Sequence, residues 1–105
     1  MKPQFNEKDF PDNLLSTWTD DFGHLNKDHA IVIGEWGGHF SGKDEVWQKR
    51  MMSFMNQHRI GHFYWSLNPN SGDTGGLLQD DWKTPSTSKL DLLSSCESTQ
   101  LDTLL

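Results

Sequence analysis

Residues 31–38 read Ile-Val-Ile-Gly-Glu-Trp-Gly-Gly. An apolar, β-branched run ends here in one carboxylate, Glu35, and then breaks into glycines. Short apolar runs bounded by turn residues are typical of buried strands, and parallel strands of α/β folds carry their chemistry at the carboxyl end. The stretch therefore predicts a buried strand over residues 30–35 that delivers one acid to the rim of a sheet. A catalytic acid and a salt-bridged or solvated rim acid are both open readings of Glu35 at this point.

Composition restricts the class of protein. The chain has 105 residues, enough for one small domain, and a net charge of −6. A basic stripe is absent, so we expect neither nucleic acid nor an anionic membrane surface as a partner. No apolar run approaches the roughly 18 residues that span a bilayer. The first seven residues carry no hydrophobic segment, which predicts no signal peptide in this chain. Cys96 is the single cysteine, so an internal disulfide cannot form.

Aromatic residues are unusually frequent for such a polar chain. There are five tryptophans and six phenylalanines but only one tyrosine. Most large aromatic side chains belong to cores, yet flat rings also stack on the apolar faces of sugars. The composition is therefore a weak indication of carbohydrate binding.

The predicted elements alternate between helices and strands. Apolar side chains at helical spacing predict a first helix capped by Asp12 and a second capped by Asp44. A last helix is predicted to open at Thr84 and Pro85. The predicted ranges are helix 13–26, strand 30–35, helix 44–59, strand 60–67 and the helix that starts at residue 84. The predicted inward face of the second helix is Trp47, Met51, Phe54, Met55 and His58. This order favours βα units with parallel strands, which need neighbours on each edge, so the sequence predicts part of a larger α/β domain.

A few other residues are candidates for chemistry. Trp65 falls in the middle of the second predicted strand, where it is either a platform that stacks on a sugar or a core residue. His39 follows Gly37 and Gly38 in the loop predicted over residues 36–43, the first rim loop. There it either contacts substrate or is simply exposed. His58 and His62 are four residues apart and could join Glu35 at a zinc ion, but they straddle a helix end and a strand start. No metal site is therefore predicted.

Acids cluster in and after the loop of residues 68–76 that follows the second predicted strand, the second rim loop. These acids are Asp73, Asp80 and Asp81. Asp-rich loops can bind calcium, but the ligand alternation of a calcium loop is missing here. We therefore interpret these residues as solvated turn acids.

Two segments together resemble the seventh and eighth strands of glycoside hydrolase family 5 cellulases. The first is Ile31–Gly38, and the second is Phe63–Gly76, which places Trp65 thirty residues after Glu35. Trp36 stands where the family usually has phenylalanine. Flanking segments extend the resemblance to residues 5–93: Leu77–Thr84 is similar to the segment after strand eight, and Phe10–Leu14 with Trp18 is similar to the sixth helix region. Leu67 replaces a frequent tryptophan of the family.

The resemblance implies a fold and an activity. The fold is α/β, the C-terminal part (about the last two βα units) of a TIM (β/α)8 barrel. The activity is that of a retaining endo-β-1,4-glucanase, a cellulase, on β-1,4-glucan without a metal or organic cofactor. Glu35 then matches the catalytic nucleophile at the end of strand seven, and Trp65 matches the tryptophan that stacks on the sugar beside the scissile bond. His39 and Asn68 are weaker candidates for substrate contacts.

The second catalytic carboxyl group is not evident. Retaining hydrolysis uses two carboxyl groups about 5–5.5 Å apart. The family takes its acid from an Asn-Glu-Pro motif on strand four, whereas Asn6-Glu7 is followed here by Lys8. A barrel of this kind runs to about 250 residues. We therefore expect the chain to be a fragment that supplies about the last quarter of the barrel, with the N-terminal part of the barrel as its partner and without activity of its own.

The expected organisation follows from the same resemblance. Residues 1–12 are a lead-in loop, residues 13–93 the partial catalytic domain, and residues 94–105 a polar, disordered tail. The full enzyme is expected to be secreted. One alternative from another class is a stand-alone carbohydrate-binding module without catalysis, although such modules are usually β-sandwiches.

Overall fold

The computed structural model describes residues 2–98. Within that range three α-helices and two strands alternate in the predicted order. The helices are α1 (Leu14–Asp21), α2 (Lys43–His58) and α3 (Thr87–Ser94), the strands are β1 (Val32–Trp36) and β2 (Gly61–Tyr64), and 3₁₀-helices occupy Pro3–Asn6 and Gly23–Lys27. No helix in this range combines the length and the apolar character needed to span a membrane.

The two strands form a parallel pair, which confirms the predicted orientation. The register places Val32 opposite Gly61 and Ile33 opposite His62. Because α2 connects the strands, β1, α2 and β2 form one βαβ unit. Among residues 2–98 no third strand joins this sheet. The outer edge of each strand therefore has no neighbour in the described chain.

One core lies between the helices and one face of the sheet. Trp18 of α1 packs against Phe54 of α2, with ring centroids 5.5 Å apart. Trp36 of β1 and Leu92 of α3 belong to the same buried cluster. Burial of these large apolar side chains is the main stabilising contribution, at roughly 25 cal/mol for each Å² removed from water.

The buried face of α2 is close to the predicted one. Met51, Phe54 and Met55 are buried as predicted, whereas Trp47 and His58 are half-buried. The buried residues of α2 are Gln48, Met51, Met52, Phe54 and Met55. Gln48 is therefore a polar member of the core that the apolar pattern did not predict.

The first helix is shorter than predicted and is not capped by Asp12. α1 ends at Asp21 and a 3₁₀-helix follows from Gly23, a residue type that disfavours a helix interior. Gly23 packs against the ring of Phe54, where a Cβ would lie 3.0 Å from Cζ. The N-cap position belongs to Asn13. The carboxylate of Asp12 instead accepts a hydrogen bond from Nε of Arg50 at 2.7 Å, so an ion pair with α2 replaces the predicted cap.

The second helix begins one residue earlier than predicted. Gly42 holds the N-cap position with a φ of 56°, in the left-handed region that favours glycine. Asp44, the predicted cap, lies within the first turn of α2, where the helix dipole favours a negative charge. The helix ends at His58, and Arg59 follows with a φ of 54°.

The predicted boundaries of the last two elements are wrong. β2 ends at Tyr64 rather than at residue 67, and α3 begins at Thr87 with Ser86 as its N-cap rather than at Thr84. Asp81 accepts hydrogen bonds from the N–H of Thr84, at 2.8 Å, and from its hydroxyl, at 2.5 Å. These bonds hold Thr84 in a turn before the helix, so it is not available as a cap.

The predicted lead-in and tail contain local structure. The lead-in includes the 3₁₀-helix at Pro3–Asn6. At the other end, where the sequence predicts a disordered tail from Ser94, that residue belongs to α3. Asn56 of α2 donates a hydrogen bond to Ser95 O at 2.8 Å and accepts one from Glu97 N at 3.1 Å. Residues 99–105, the rest of the predicted tail, lie outside the described residues.

The face of the sheet that the helices leave open is apolar. Val32 of β1 and Phe63 of β2 point to this face and are 58% and 67% exposed. Just beyond the strand, Leu67 is 63% exposed. We refer to Val32 and Phe63 as the open apolar face. Its exposure fits the expectation that two parallel strands need further neighbours.

Candidate active site

A β-bulge in β1 determines where Glu35 points. Ile33 lies opposite His62 and Trp36 opposite Tyr64, so three steps along β1 match two steps along β2. One extra residue reverses the side on which the following side chains lie. Strict alternation from Ile33 would turn Glu35 toward the helices. Glu35 is exposed instead, and Trp36 is buried at 6% exposure.

The carboxylate of Glu35 lies at the carboxyl end of β1 without an internal partner. The ion pairs among residues 2–98 join other residues, and no side-chain hydrogen bond in this range reaches Glu35. A carboxylate that accepts no internal hydrogen bond remains free to meet groups supplied from outside the described chain. The salt-bridged reading of Glu35 has no support within this range.

Trp65 follows β2 and does not lie within it, which corrects the predicted mid-strand position. The backbone N–H of Trp65 donates to the backbone carbonyl of Trp36 at 2.8 Å, and the peptide bond between Trp65 and Ser66 is cis. The indole is 45% exposed. The residue after Glu35 is therefore bonded through its backbone to Trp65, and the two candidate side chains leave the same end of the sheet.

Gly37 permits this close approach. A Cβ at Gly37 would lie 2.2 Å from the carbonyl oxygen of Trp65, well inside van der Waals contact. Only glycine fits where two backbones touch in this way. The glycine that marks the end of the apolar run therefore has a packing role between the two strand ends.

A buried polar network supports the loop after Glu35. Gln48 donates from Nε2 to Oδ2 of Asp44 at 2.8 Å and accepts from the hydroxyl of Tyr64 at 2.8 Å. The same carboxylate oxygen of Asp44 accepts from the N–H of Phe40 at 2.7 Å. Tyr64 also lies 3.5 Å from the carbonyl of Gly38. These bonds tie α2 and β2 to residues 38–40, the loop that begins beside Glu35.

Burial raises the pKa of Tyr64 to about 12, and the nearby Asp44 adds to the rise. Hydrogen bonds to Gly38 and Gln48 act in the opposite direction. Since the folded-state pKa exceeds the usual value of about 10, the neutral phenol stabilises the fold below pH 10. That contribution is lost as the pH rises through the interval from about 10 to about 12.

A titration tests this environment directly, because Tyr64 is the only tyrosine of the chain. We expect the absorbance of the folded chain at 295 nm to rise with a midpoint near pH 12. The same chain in 8 M urea serves as the control and should titrate near pH 10. A native midpoint near 10 would mean that the phenol is solvated and that the network with Gln48 does not form.

The zinc hypothesis does not gain support. Nε1 of Trp36 donates to Nδ1 of His62 at 3.0 Å, and Nε2 of His62 lies 3.2 Å from Sγ of Cys96. His58 instead packs against the ring of Phe54. Within residues 2–98 no group of three or more histidine, cysteine, aspartate or glutamate side chains could hold a metal ion.

The second rim loop is held by its own polar residues. Asn68 donates from Nδ2 to the side chain of Asn70, and its carbonyl accepts from the hydroxyl of Ser66 at 3.1 Å. Asp73 accepts from the hydroxyl of Ser71 at 2.8 Å. Nε2 of His39 lies 3.2 Å from the carbonyl of Gly72. The two rim loops therefore touch each other at His39 and Gly72, whereas Asn68 bonds within its own loop.

Hydrogen bonds within the turn at residues 81–84 lower the pKa of one carboxyl group. The hydroxyl and the N–H of Thr84, followed by the N–H of Lys83, lower the pKa of Asp81. Asp81 therefore stabilises a turn, in agreement with its interpretation as a turn acid.

Sequence reasoning missed two residues of this region. Gln48 lies four positions after Asp44, a spacing that brings side chains together on a helix, and this was the available signal. The predicted strand ends at Glu35 and leaves Trp36 in the following loop. Nothing in the local pattern reveals that a bulge extends β1 by one residue and buries the indole of Trp36.

The family model described as "Cellulase (glycosyl hydrolase family 5)" matches residues 2–71 of the chain. The chain belongs to glycosyl hydrolase family 5. The resemblance stated from the strand-end motifs is thereby confirmed at the level of the family.

Individual family 5 proteins agree with this assignment. The chain is 39% identical over 97 residues to the major extracellular endoglucanase of Xanthomonas campestris pv. campestris, a match over 89% of this chain and 20% of that protein. The catalytic domain of that endoglucanase superposes with a TM-score of 0.84 and 40% identity, over 88% of this chain and 28% of that domain. A cellotetraose complex of an endocellulase from Pyrococcus horikoshii gives a TM-score of 0.83 at 40% identity, over 89% of this chain and 27% of that one.

The chain therefore spans about a fifth of this curated relative and less than a third of each of these two solved structures. It corresponds to a portion of a family 5 catalytic domain, a family with TIM-barrel architecture. Which portion of the barrel it forms, and what it does there, are matters of proposal.

Proposed function

We propose that this family 5 chain forms the last two βα units of a TIM barrel and contributes the nucleophile of a retaining endo-β-1,4-glucanase. β1 is then strand seven and β2 strand eight, within a partial catalytic domain over residues 13–93. The unpaired edges of the two strands and the open apolar face support this placement, since a closed barrel covers both. The N-terminal part of the barrel is the partner that would cover them.

One observation carries the proposed role of Glu35. The bulge in β1 turns its carboxylate to the side opposite the helices, at the carboxyl end of a parallel strand. In TIM barrels this end carries the active site. An exposed carboxylate at this position, without an internal partner in residues 2–98, is suited to a nucleophile.

The reaction follows from that role. A carboxylate oxygen of Glu35 bonds to the anomeric carbon of the glucan as the bond to the leaving glycosidic oxygen breaks. A second carboxyl group gives its proton to that oxygen. Water then attacks the anomeric carbon, the second group takes up a proton from it, and Glu35 is released. The second carboxyl group belongs to the strand-four Asn-Glu-Pro motif of the family, so the chain alone lacks a complete pair.

Trp65 supports binding of the sugar beside the scissile bond. Its half-exposed indole leaves the same end of the sheet as Glu35, and aromatic faces stack on apolar sugar faces. His39, at the contact between the two rim loops, and Asn68, within the second of them, are weaker candidates for hydrogen bonds to glucan hydroxyls. No metal or organic cofactor takes part in this proposal. The relative from Xanthomonas campestris is named as extracellular, and we infer a secreted enzyme here also.

A chimeric barrel tests the proposal. The segment of the Xanthomonas campestris catalytic domain that this chain matches is replaced by the corresponding residues of this chain, and release of reducing ends from carboxymethylcellulose is measured. We expect kcat/KM within about tenfold of the parent domain, since the geometry of both strand ends is retained. A folded chimera without turnover would contradict the proposal. Cellulose binding by the isolated, monomeric chain that disappears with Trp65→Ala would favour a binding module instead.

A further inference from the structure

Three alternate carbonyl groups of the second rim loop are bound by two side chains from elsewhere. Nζ of Lys89 donates to the carbonyls of Thr74, at 2.9 Å, and Gly76, at 3.1 Å. Nε2 of His39 lies 3.2 Å from the carbonyl of Gly72. Lys89 comes from α3 and His39 from the loop after β1. The segment from Gly72 to Gly76 is thus held from two sides by basic side chains.

Lys89 is buried without an acidic partner. The residue is only 4% exposed, and it forms no ion pair within the part of the chain that the structure describes. Lysine is almost never fully buried unless it is paired, and here loop carbonyls take the place of a carboxylate. Burial lowers the pKa of Lys89, and the charge of Asp44 opposes that change.

Gly75 lies between the two side chains. Its φ of 60° lies in the left-handed region. A Cβ there would meet Nδ1 of His39 at 3.4 Å and Nζ of Lys89 at 3.6 Å. The backbone of this turn is therefore enclosed between the imidazole and the ammonium.

The clamped segment is connected directly to Trp65. A Cβ at Gly76 would lie 2.4 Å from the carbonyl oxygen of Asn68, so these two backbones are in contact. The N–H of Leu77 donates to the carbonyl of Ser66 at 2.8 Å. Ser66 is the residue after Trp65. Displacing Gly76 would consequently move the backbone that carries the indole.

We propose that Lys89 and His39 are positioning residues that clamp the segment Gly72–Gly76 and thereby fix Trp65 relative to Glu35. The clamp itself stands independently of catalysis, whereas its consequence for glucan binding rests on the proposed function. His39 then acts on the loop through the carbonyl of Gly72. Neither residue needs to touch the reacting atoms.

Hydrogen exchange tests the clamp without any sugar. Amide exchange is compared for the full chain and its Lys89→Met variant, which retains a linear side chain but has no N–H donor, and the same pair is measured in the chimeric barrel. We expect the amides of Gly75 and Leu77 to exchange about 10- to 100-fold faster in the variant, because two bonds to a charged donor are lost. Amides inside α2 should change little. The matched control is Lys49→Met, since Lys49 is exposed on α2.

Two outcomes would overturn the clamp. One is exchange at Gly75 and Leu77 within about twofold of the unsubstituted chain. If Lys89→Met also speeds exchange of the amides of α2, the His39→Ala variant is measured instead, because the side chain of His39 is exposed. Loop exchange that is unchanged in His39→Ala would then overturn the proposal, and selectively faster loop exchange would support it.

Kinetics of the chimera test the consequence for binding. We expect Lys89→Met to raise KM for carboxymethylcellulose about five- to tenfold, with the larger part of the effect in KM, because a displaced indole weakens sugar stacking. A purely structural loss would lower the amount of active enzyme and leave KM unchanged. Faster loop exchange in an inactive chimera would count against the proposed function alone. Normal loop exchange would count against the clamp, whatever the activity of the chimera.

Discussion

Glu35→Gln in the chimeric barrel is expected to reduce kcat by at least about 10³-fold, in keeping with the loss seen when a catalytic nucleophile is removed. The amide has nearly the shape of the carboxylate but cannot form the glycosyl ester. The fold should be unaffected, because Glu35 is exposed and has no internal partner in residues 2–98. Glu45→Gln, on the first turn of α2, is the matched control and should retain full activity.

A second variant separates a nucleophile from a general acid. In Glu35→Ala, added azide can attack the anomeric carbon of an activated aryl β-glycoside from the side that Glu35 occupied. The aryloxide leaves as the new carbon–nitrogen bond forms, so the product is the α-glycosyl azide. Formation of the β-glycosyl azide would assign Glu35 as the acid/base and contradict the nucleophile role. Undiminished activity of Glu35→Gln would exclude any catalytic role.

The isolated 105-residue chain is expected to be inactive and to self-associate. Its activity on carboxymethylcellulose should lie at least about 10³-fold below that of the chimera, because the second carboxyl group is lacking. Association is expected because the open apolar face meets water beside two strand edges that have no neighbour within residues 2–98. Sedimentation velocity should therefore show an average mass that rises with concentration.

Substitution within the open apolar face identifies the contact. Phe63→Ser should shift the distribution toward monomer, since Phe63 is the most exposed member of that face. Trp82→Ser provides the control: Trp82 is 55% exposed but lies outside this face, so its loss should matter little. A monomeric unsubstituted chain at all concentrations, or a larger effect of the Trp82 variant, would contradict this assignment.

Local patterns predicted the elements better than their ends. α2 is predicted because apolar residues repeat with the helical period, and β1 because a short apolar run is bounded by turn residues. Three predicted caps, Asp12, Asp44 and Thr84, were wrong for one shared reason. Each side chain bonds to a different group: Arg50, the loop with Gln48, and Asp81 respectively. The contact of Asp12 with Arg50 is tertiary, whereas Asp44 and Thr84 bond to groups within four residues in sequence. Competing local and tertiary contacts therefore both override the capping rules.

The sequence indicates candidate residues for the site but not their geometry. Glu35 and Trp65 stand out from the strand-end motifs. The bulge that orients Glu35 depends on the pairing of β1 with β2, so no local pattern in either strand could predict it. Lys89 was missed for a different reason, because a search for apolar stripes passes over a buried lysine.

The bulge also has a consequence for how β1 tolerates change. Up to Ile33 the odd-numbered side chains of β1 face the helices, whereas after the bulge the even-numbered Trp36 faces them. Losing or gaining a single residue between these points would exchange the surroundings of Glu35 and Trp36, so that the acid would enter the core and the indole would face outward. In this strand the number of residues is thus as strict a requirement as their identity, and homologous segments are meaningfully aligned only when their lengths agree.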